Sequence, residues 1–285
     1  MVRLAALLTC HNRREQTMAC LSALFESARP PATLLDVVLV DDGSVDGTAV
    51  AVRASFSEVQ VLQGDGTLYW AGGMRLAYAE ALKRDYDFYL FLNDDTVIES
   101  DALTRLFATY DEIEVRSKRA GAIVGTTRDP DSHRPTYGGL RRVSSWRSMR
   151  LELLMPAAYP IECDSMNTNC VLVSREAALD IGNFDDAFRH RIADIDYGLR
   201  MRSAGFSNWV APGFIGTCAD DHRPEASWVD PSTPLRERFR QVTQVKGLPW
   251  REWMVFTRRH GGLFWPAFWI WPYVKILLTS SVRRG

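Results

Sequence analysis

A chain of 285 residues, 46% hydrophobic and 24% charged, is long enough to bury a sizeable core and lies outside disordered or fibrous compositions. Its formal net charge of -1 gives no global basic surface for nucleic acid. Five cysteines, at 10, 20, 163, 170 and 218, are odd in number and lack metal-knuckle spacing, so they read as reduced, cytosolic thiols that mostly pack; a Cys163–Cys170 bridge would need an oxidising compartment.

The N-terminal apolar stretch carries one arginine and runs into a polar motif, which argues for a strand and against a signal peptide. Leu4 to Thr9 predicts a buried strand ending in Cys10-His11-Asn12-Arg13. Val37 to Val40 predicts a second, ending in Asp41-Asp42-Gly43-Ser44-Val45-Asp46-Gly47-Thr48, whose last three residues have the chemistry of a helix cap. Gly64 to Met74 is glycine-rich but lacks the Gly-Lys-Ser/Thr ending of a phosphate-binding P-loop. Tyr89 to Leu92 predicts a third strand, ending in Asn93-Asp94-Asp95-Thr96. Strands alternating with helical segments imply a parallel, doubly wound α/β sheet, and the carboxyl ends of its strands share one crevice. Two adjacent carboxylates repel unless a cation sits beside them, and a divalent ion bridging phosphates is the usual reason; the plain alternative is a solvated turn.

In the second half, the polar loop Asp164 to Asn169 leads into a strand at Val171 to Ser174. Ile181-Gly182-Asn183-Phe184-Asp185-Asp186-Ala187-Phe188 precedes a helix start at Ala193-Asp194-Ile195-Asp196, where acids suit the first turn. Asp196 has a natural partner in Arg200, one turn on. From 229 to 285 the composition changes: ten Lys or Arg face three acids, a balance of +7, against about -8 for the remainder, and five of the nine tryptophans lie here. The apolar run from Leu263 to Leu278 carries two prolines and a lysine and is shorter than the roughly 20 residues a bilayer span needs. Aromatics beside basic residues suit a membrane interface; the competing reading is helices packed on the catalytic part or on a second subunit.

Thr9-Cys10-His11-Asn12-Arg13, the Asp41 to Thr48 run and Asn93-Asp94-Asp95, in this order and spacing, resemble the opening motifs of family 2 glycosyltransferases. The resemblance extends through about residue 228, roughly four fifths of the chain. Gly64 to Met74, with its Trp70-Ala71-Gly72-Gly73-Met74 core, is similar to the rhamnosyltransferase-like branch. The resemblance implies the nucleotide-sugar-binding GT-A fold: an α/β domain over 1–228, with a mostly parallel central sheet flanked by helices, a nucleotide-binding half to about 97 and an acceptor-binding half from about 98. A basic, aromatic-rich helical extension over 229–285 would follow. It implies a metal-dependent, inverting transferase moving a sugar, rhamnose by the branch, from a UDP- or dTDP-sugar to a glycan acceptor. An undecaprenyl-linked acceptor would suit bacterial polysaccharide or O-antigen synthesis, at the inner face of the cell membrane.

Carried onto this sequence, the resemblance gives Thr9, Asn12, Asp42, Gly73 and Asp94 to the nucleotide, Asp42 accepting from a pyrimidine imide N–H. Asp95 would contact Mn²⁺ or Mg²⁺, with His222 completing the metal site. Asp194 matches the catalytic base, although Ala193 stands where the commonest form has Glu. Trp70, Arg75 and Asn169 fall to the donor and acceptor pocket; Arg75 replaces the usual Asn and would reach the diphosphate. Two other classes fit less well. A sugar nucleotidyltransferase usually opens with a glycine-rich basic loop, absent from Ala5 to Arg14, and a non-catalytic nucleotide-sugar-binding module has no need of Asp194.

Overall fold

The computed structural model describes residues 1–116, 119–143, 149–190, 192–220 and 228–281. The first half alternates strand and helix: β1 (Val2–Cys10), α1 (Arg14–Glu26), β2 (Thr33–Asp41), α2 (Thr48–Ser55), β3 (Val59–Gln63), α3 (Tyr69–Ala81) and β4 (Phe88–Leu92). Then come β5 (Val97–Ile98), α4 (Ala102–Val115), β6 (Ala120–Arg128), β7 (Gly139–Arg142), β8 (Leu151–Leu153), β9 (Ile161–Cys163), β10 (Ser165–Met166), β11 (Cys170–Ser174), α5 (Arg175–Ile181), α6 (Ala193–Ser203) and β12 (Ser207–Thr217). Helices α7 (Leu235–Thr243), α8 (Trp250–His260) and α9 (Trp265–Ser281) close the chain.

One sheet has the order β3-β2-β1-β4-β11-β6-β12-β5, with β9 also pairing β12; β10, β7 and β8 form a small antiparallel sheet. The strands β3, β2, β1 and β4 are parallel, and β11 enters antiparallel between β4 and β6. Leu4 to Leu8 are wholly buried because helices cover both sheet faces, which explains their unbroken apolar run. Register places Cys10 opposite Asp41 and Leu7 opposite Phe91, so the three polar motifs leave the sheet along one edge, as the alternation implies. All five cysteines are buried free thiols, including Cys163 and Cys170.

The C-terminal helices join the core. Val242, Trp253, Phe256, Tyr273 and Ile276 belong to the same buried cluster as Phe91, Phe184 and Tyr197. Pro272 inside α9 has no N–H for the carbonyl of Phe268 one turn back; the Trp253 indole donates to that carbonyl instead (3.1 Å), stapling α9 to α8. Trp269 Nε1 donates to Trp250 O (3.1 Å) and Tyr273 OH to Leu248 O (2.7 Å).

Candidate active site

The β1 and β2 loops lock together first. Asp42 N donates to Cys10 O (2.9 Å), and His11 Nδ1 donates to Asp42 O (2.5 Å). Asn12, in the left-handed region at φ 52, accepts from Val45 N at 2.8 Å and donates its own N–H to Ser44 Oγ at 2.9 Å. Asp46 accepts from Thr48 N (3.0 Å) at the start of α2 and from Arg14 N (3.0 Å) at the start of α1, so one carboxylate caps two helices.

Asp42 is buried, and its oxygens accept from the N–H groups of Gly66 (2.8 Å), Leu68 (3.3 Å) and Tyr69 (3.0 Å). A carboxylate has about four lone-pair positions, so three amides leave one for a ligand. Asp42 therefore shapes the glycine-rich loop at the carboxyl end of β2. Tyr69 opens α3 at φ 55, a strained conformation held by that bond.

Gly73 faces Thr9: a Cβ there would lie 2.0 Å from Thr9 Oγ1. Its missing side chain lets α3 approach the end of β1. Trp70, half-buried, donates from Nε1 to Asn93 Oδ1 (2.8 Å) and stands edge-on to Phe184. Arg75, expected at the diphosphate, is held by protein carbonyls. Its Nη1 donates to the carbonyls of Asp185 and Phe188 (both 3.4 Å), and Asn183 Nδ2 donates to Arg75 O (2.9 Å), so it ties α3 to the loop before α6. That loop, distant in sequence, presents carbonyls to a long guanidinium side chain at the helix surface.

The carboxylates after β4 are served by Arg13, a member of the first motif to which sequence reasoning gave no role. Arg13 Nη1 pairs with Asp95 Oδ2 and lies 3.6 Å from Asp94 Oδ1. Among the described residues no donor hydrogen-bonds the buried Asp94 Oδ2. Burial, then the charge of Asp95, pushes the Asp94 carboxyl up to about 7 against the pull of Arg13. Asp95 Oδ1 accepts from Cys218 Sγ (3.4 Å), which accepts from Asn169 Nδ2 (3.3 Å), bringing Asn169 to the acidic turn.

Two close carboxylates, one with a buried oxygen that no described donor reaches, fit a hard divalent cation, which commonly takes one or two protein carboxylates and completes its shell with phosphates and water; the cation would compete with Arg13 for Asp95. Among the described residues no group of three or more His, Cys, Asp or Glu forms a metal cluster. His222, expected to complete the site, lies outside the described residues.

Asp194 reaches this edge through one loop. Asn167 Nδ2 donates to Asp194 Oδ2 (3.5 Å), and two residues on, Asn169 O accepts from Asn93 N (3.1 Å). Half-buried in the first turn of α6, Asp194 has its carboxyl pushed above the usual range by burial, opposed by the N–H of Ile195 and by Asn167. Ile192 precedes α6 at φ 61, a conformation costly for a β-branched residue. A carboxylate whose pKa burial raises can accept a proton from a ligand.

Asp196 is fully buried and behaves otherwise. It pairs with Arg200 as its spacing suggested (Nε to Oδ2, 2.8 Å), and also receives Arg259 (2.6 Å) and His260 (2.8 Å) from α8. Burial works to raise its pKa; the His260 hydrogen bond and the two guanidinium charges outweigh it and hold the carboxyl below the usual range. Arg259 also binds Asp185 (2.5 Å), and buried Glu252 accepts from Arg189 Nε (2.9 Å). Sequence reasoning found the Arg200 partner and missed the two from α8, which lie 63 and 64 residues away.

Residues 6–182 match the family model described as Glycosyl transferase family 2. The chain is 25% identical over 300 residues to the N-acetylglucosaminyl-diphospho-decaprenol L-rhamnosyltransferase of Mycobacterium tuberculosis strain H37Rv, covering 95% of this chain and 90% of that one. Among solved structures, a mannosyltransferase of Pyrobaculum calidifontis in complex with GDP-Man and Mn²⁺ superposes with a TM-score of 0.60 at 16% identity, covering 99% of this chain and 76% of that chain. GalNAc-T7 with UDP, GalNAc and Mn²⁺ gives 0.61 at 15% identity, over 84% and 47%.

Proposed function

The chain belongs to glycosyl transferase family 2 and has the GT-A fold, and from that premise we propose that it transfers rhamnose from a UDP- or dTDP-sugar to a lipid-linked glycan, with inversion at the anomeric carbon. The observation that carries this reading is the loop 167–169, which touches Asp194 at one end and the Asn93-Asp94-Asp95 turn at the other, so base and diphosphate carboxylates serve one crevice. The choice of rhamnose and of a lipid-linked acceptor draws on the mycobacterial relative's name and on the Trp70 to Met74 run.

Thr9, Asn12 and Asp42 flank the nucleoside. Asp42, with one acceptor position left after its three amides, receives the uracil or thymine imide N–H. Trp70, its indole fixed by Asn93, and Asn169 bound the donor sugar; Arg75 shapes that wall by holding the loop of Asp185. Asp95, with Asp94 beside it, would hold Mg²⁺ or Mn²⁺, which would supply charge to the departing nucleoside diphosphate. Asp194 accepts the proton of the acceptor hydroxyl as its oxygen bonds to the anomeric carbon and the bond to diphosphate breaks. One carboxylate opposite the leaving group suffices, with no covalent intermediate.

The test is nucleoside diphosphate release from dTDP-rhamnose and a panel of UDP-sugars, with and without a short-chain N-acetylglucosaminyl diphospholipid, in Mn²⁺ or in chelator. Acceptor-dependent release of dTDP that chelator abolishes supports the reading. Metal-dependent donor binding without acceptor-dependent release would replace it with a non-catalytic binding module.

A further inference from the structure

Helix α9 is apolar around most of its circumference but buried on one side only. Tyr273 and Ile276 face inward at 6% and 0% exposure, against α7 and α8. On the other side Ile270, Trp271 and Leu278 are 39%, 56% and 55% exposed, and the turn leading into the helix adds Leu263 at 94% and Phe264 at 64%. Helical spacing places 270, 271 and 278 along a single stripe. A soluble helix normally presents polar residues there, and a contiguous exposed apolar patch marks an interaction surface.

The nearby charge points to an occupant: Lys275 is exposed on α9 itself, and Arg251 and Arg258 are exposed on α8, the helix α9 packs against. Of the ten basic residues after 228, only Arg238 is buried among the described ones. A second copy would bring the same positive charge against itself, whereas anionic lipid headgroups complement it. With 17 residues α9 is about 25 Å long. No helix among the described residues is long and apolar enough to cross a membrane. Tryptophan beside lysine is the composition that settles at the headgroup level.

We propose that the outward face of α9, entered by Leu263 and Phe264 and centred on Trp271, docks on an anionic membrane surface with the helix lying in the interface plane. Because α9 is stapled to α8, and α8 grips Asp196 in the helix that carries Asp194, docking fixes the base relative to the lipid surface. That consequence for acceptor delivery rests on the lipid-linked acceptor proposed above; docking itself does not.

Co-sedimentation with vesicles tests it, using phosphatidylcholine alone and equal parts phosphatidylcholine and phosphatidylglycerol, without donor. The full chain is expected to sediment with the anionic vesicles only, and to be released by high salt. Trp271→Glu with Leu278→Glu is expected to lower partitioning at least about tenfold, the order lost with two partly inserted apolar side chains, and Lys275→Glu by less. Both variants should keep the wild-type melting temperature and turnover on a short-chain, water-soluble acceptor. Wild-type protein left in the supernatant with both vesicles would overturn the proposal, as would undiminished binding of the double variant. A concentration-dependent dimer that the double variant dissolves would assign the face to a second copy and overturn it too. Since vesicle binding is read without turnover, docking can fail while sugar transfer stands, and the reverse.

Discussion

At the strand edge Asp94 and Asp95 share one guanidinium, and one buried Asp94 oxygen has no donor among the described residues; under the C-terminal helices Asp196 receives two guanidinium groups and an imidazole. Both regions bury carboxylates close to one another. In one, burial wins and the Asp94 carboxyl rises to about 7; in the other, cations win and Asp196 falls. Asp194 and Asp196 repeat the contrast within a single helical turn, shifted in opposite directions. Cations from α6 and α8 outweigh burial at Asp196, whereas the single guanidinium beside Asp94 does not.

The largest effect should come from the satisfied region. Asp196→Ala leaves Arg200, Arg259 and His260 without their shared acceptor, and breaking a buried pair of this kind costs about 3–5 kcal/mol. Thermal unfolding should show that loss, and loosening of α8 should appear as faster amide exchange there. An Asp196→Ala protein as stable as wild type would erase the distinction between the two regions.

Asp95→Ala should instead leave the melting temperature close to wild type while lowering turnover about 10²–10³-fold, the scale for removing one electrostatic contributor at a reacting centre. Steady-state kinetics with and without Mn²⁺ would check it. Smaller again, Trp70→Phe keeps the ring but removes the donor to Asn93, costing about 1 kcal/mol, or about fivefold, in donor affinity by calorimetry.

Protons sharpen the contrast from both sides. Asp185 and Asp196 are held below their unfolded values, so they stabilise the fold above about pH 4 and lose that contribution as pH falls through their native values. Asp194 is raised, so its ionised form costs stability once pH exceeds its native value. Asp194→Asn should accordingly raise the neutral-pH melting temperature slightly, and wild-type kcat/KM should fall on the acid side at a pH above that of an ordinary aspartate.

Much of the donor half is legible in the sequence because its physics is local. Apolar runs of strand length end in polar clusters, and parallel pairing alone brings Cys10, Asp41 and Asn93 to one edge. The helix start at Ala193 and the Asp196–Arg200 pair follow from spacing within one helix. What was not legible depends on distant segments. No local pattern says that Arg13 reaches across to Asp95, that Arg75 turns to the carbonyls of Asp185 and Phe188, or that Arg259 and His260 close on Asp196. The C-terminal composition announced an apolar, basic segment, but only packing divides it into an inward face shared with the core and an outward one.

The account rests most directly on Asp194, and the decisive measurement pairs donor affinity with acceptor-dependent turnover in Asp194→Asn. A general base contributes about 10²–10⁴-fold, so turnover should fall by about 10³ while nucleotide-sugar affinity by calorimetry stays within about twofold of wild type. Turnover retained within about tenfold of wild type would contradict the account and remove Asp194 as the base.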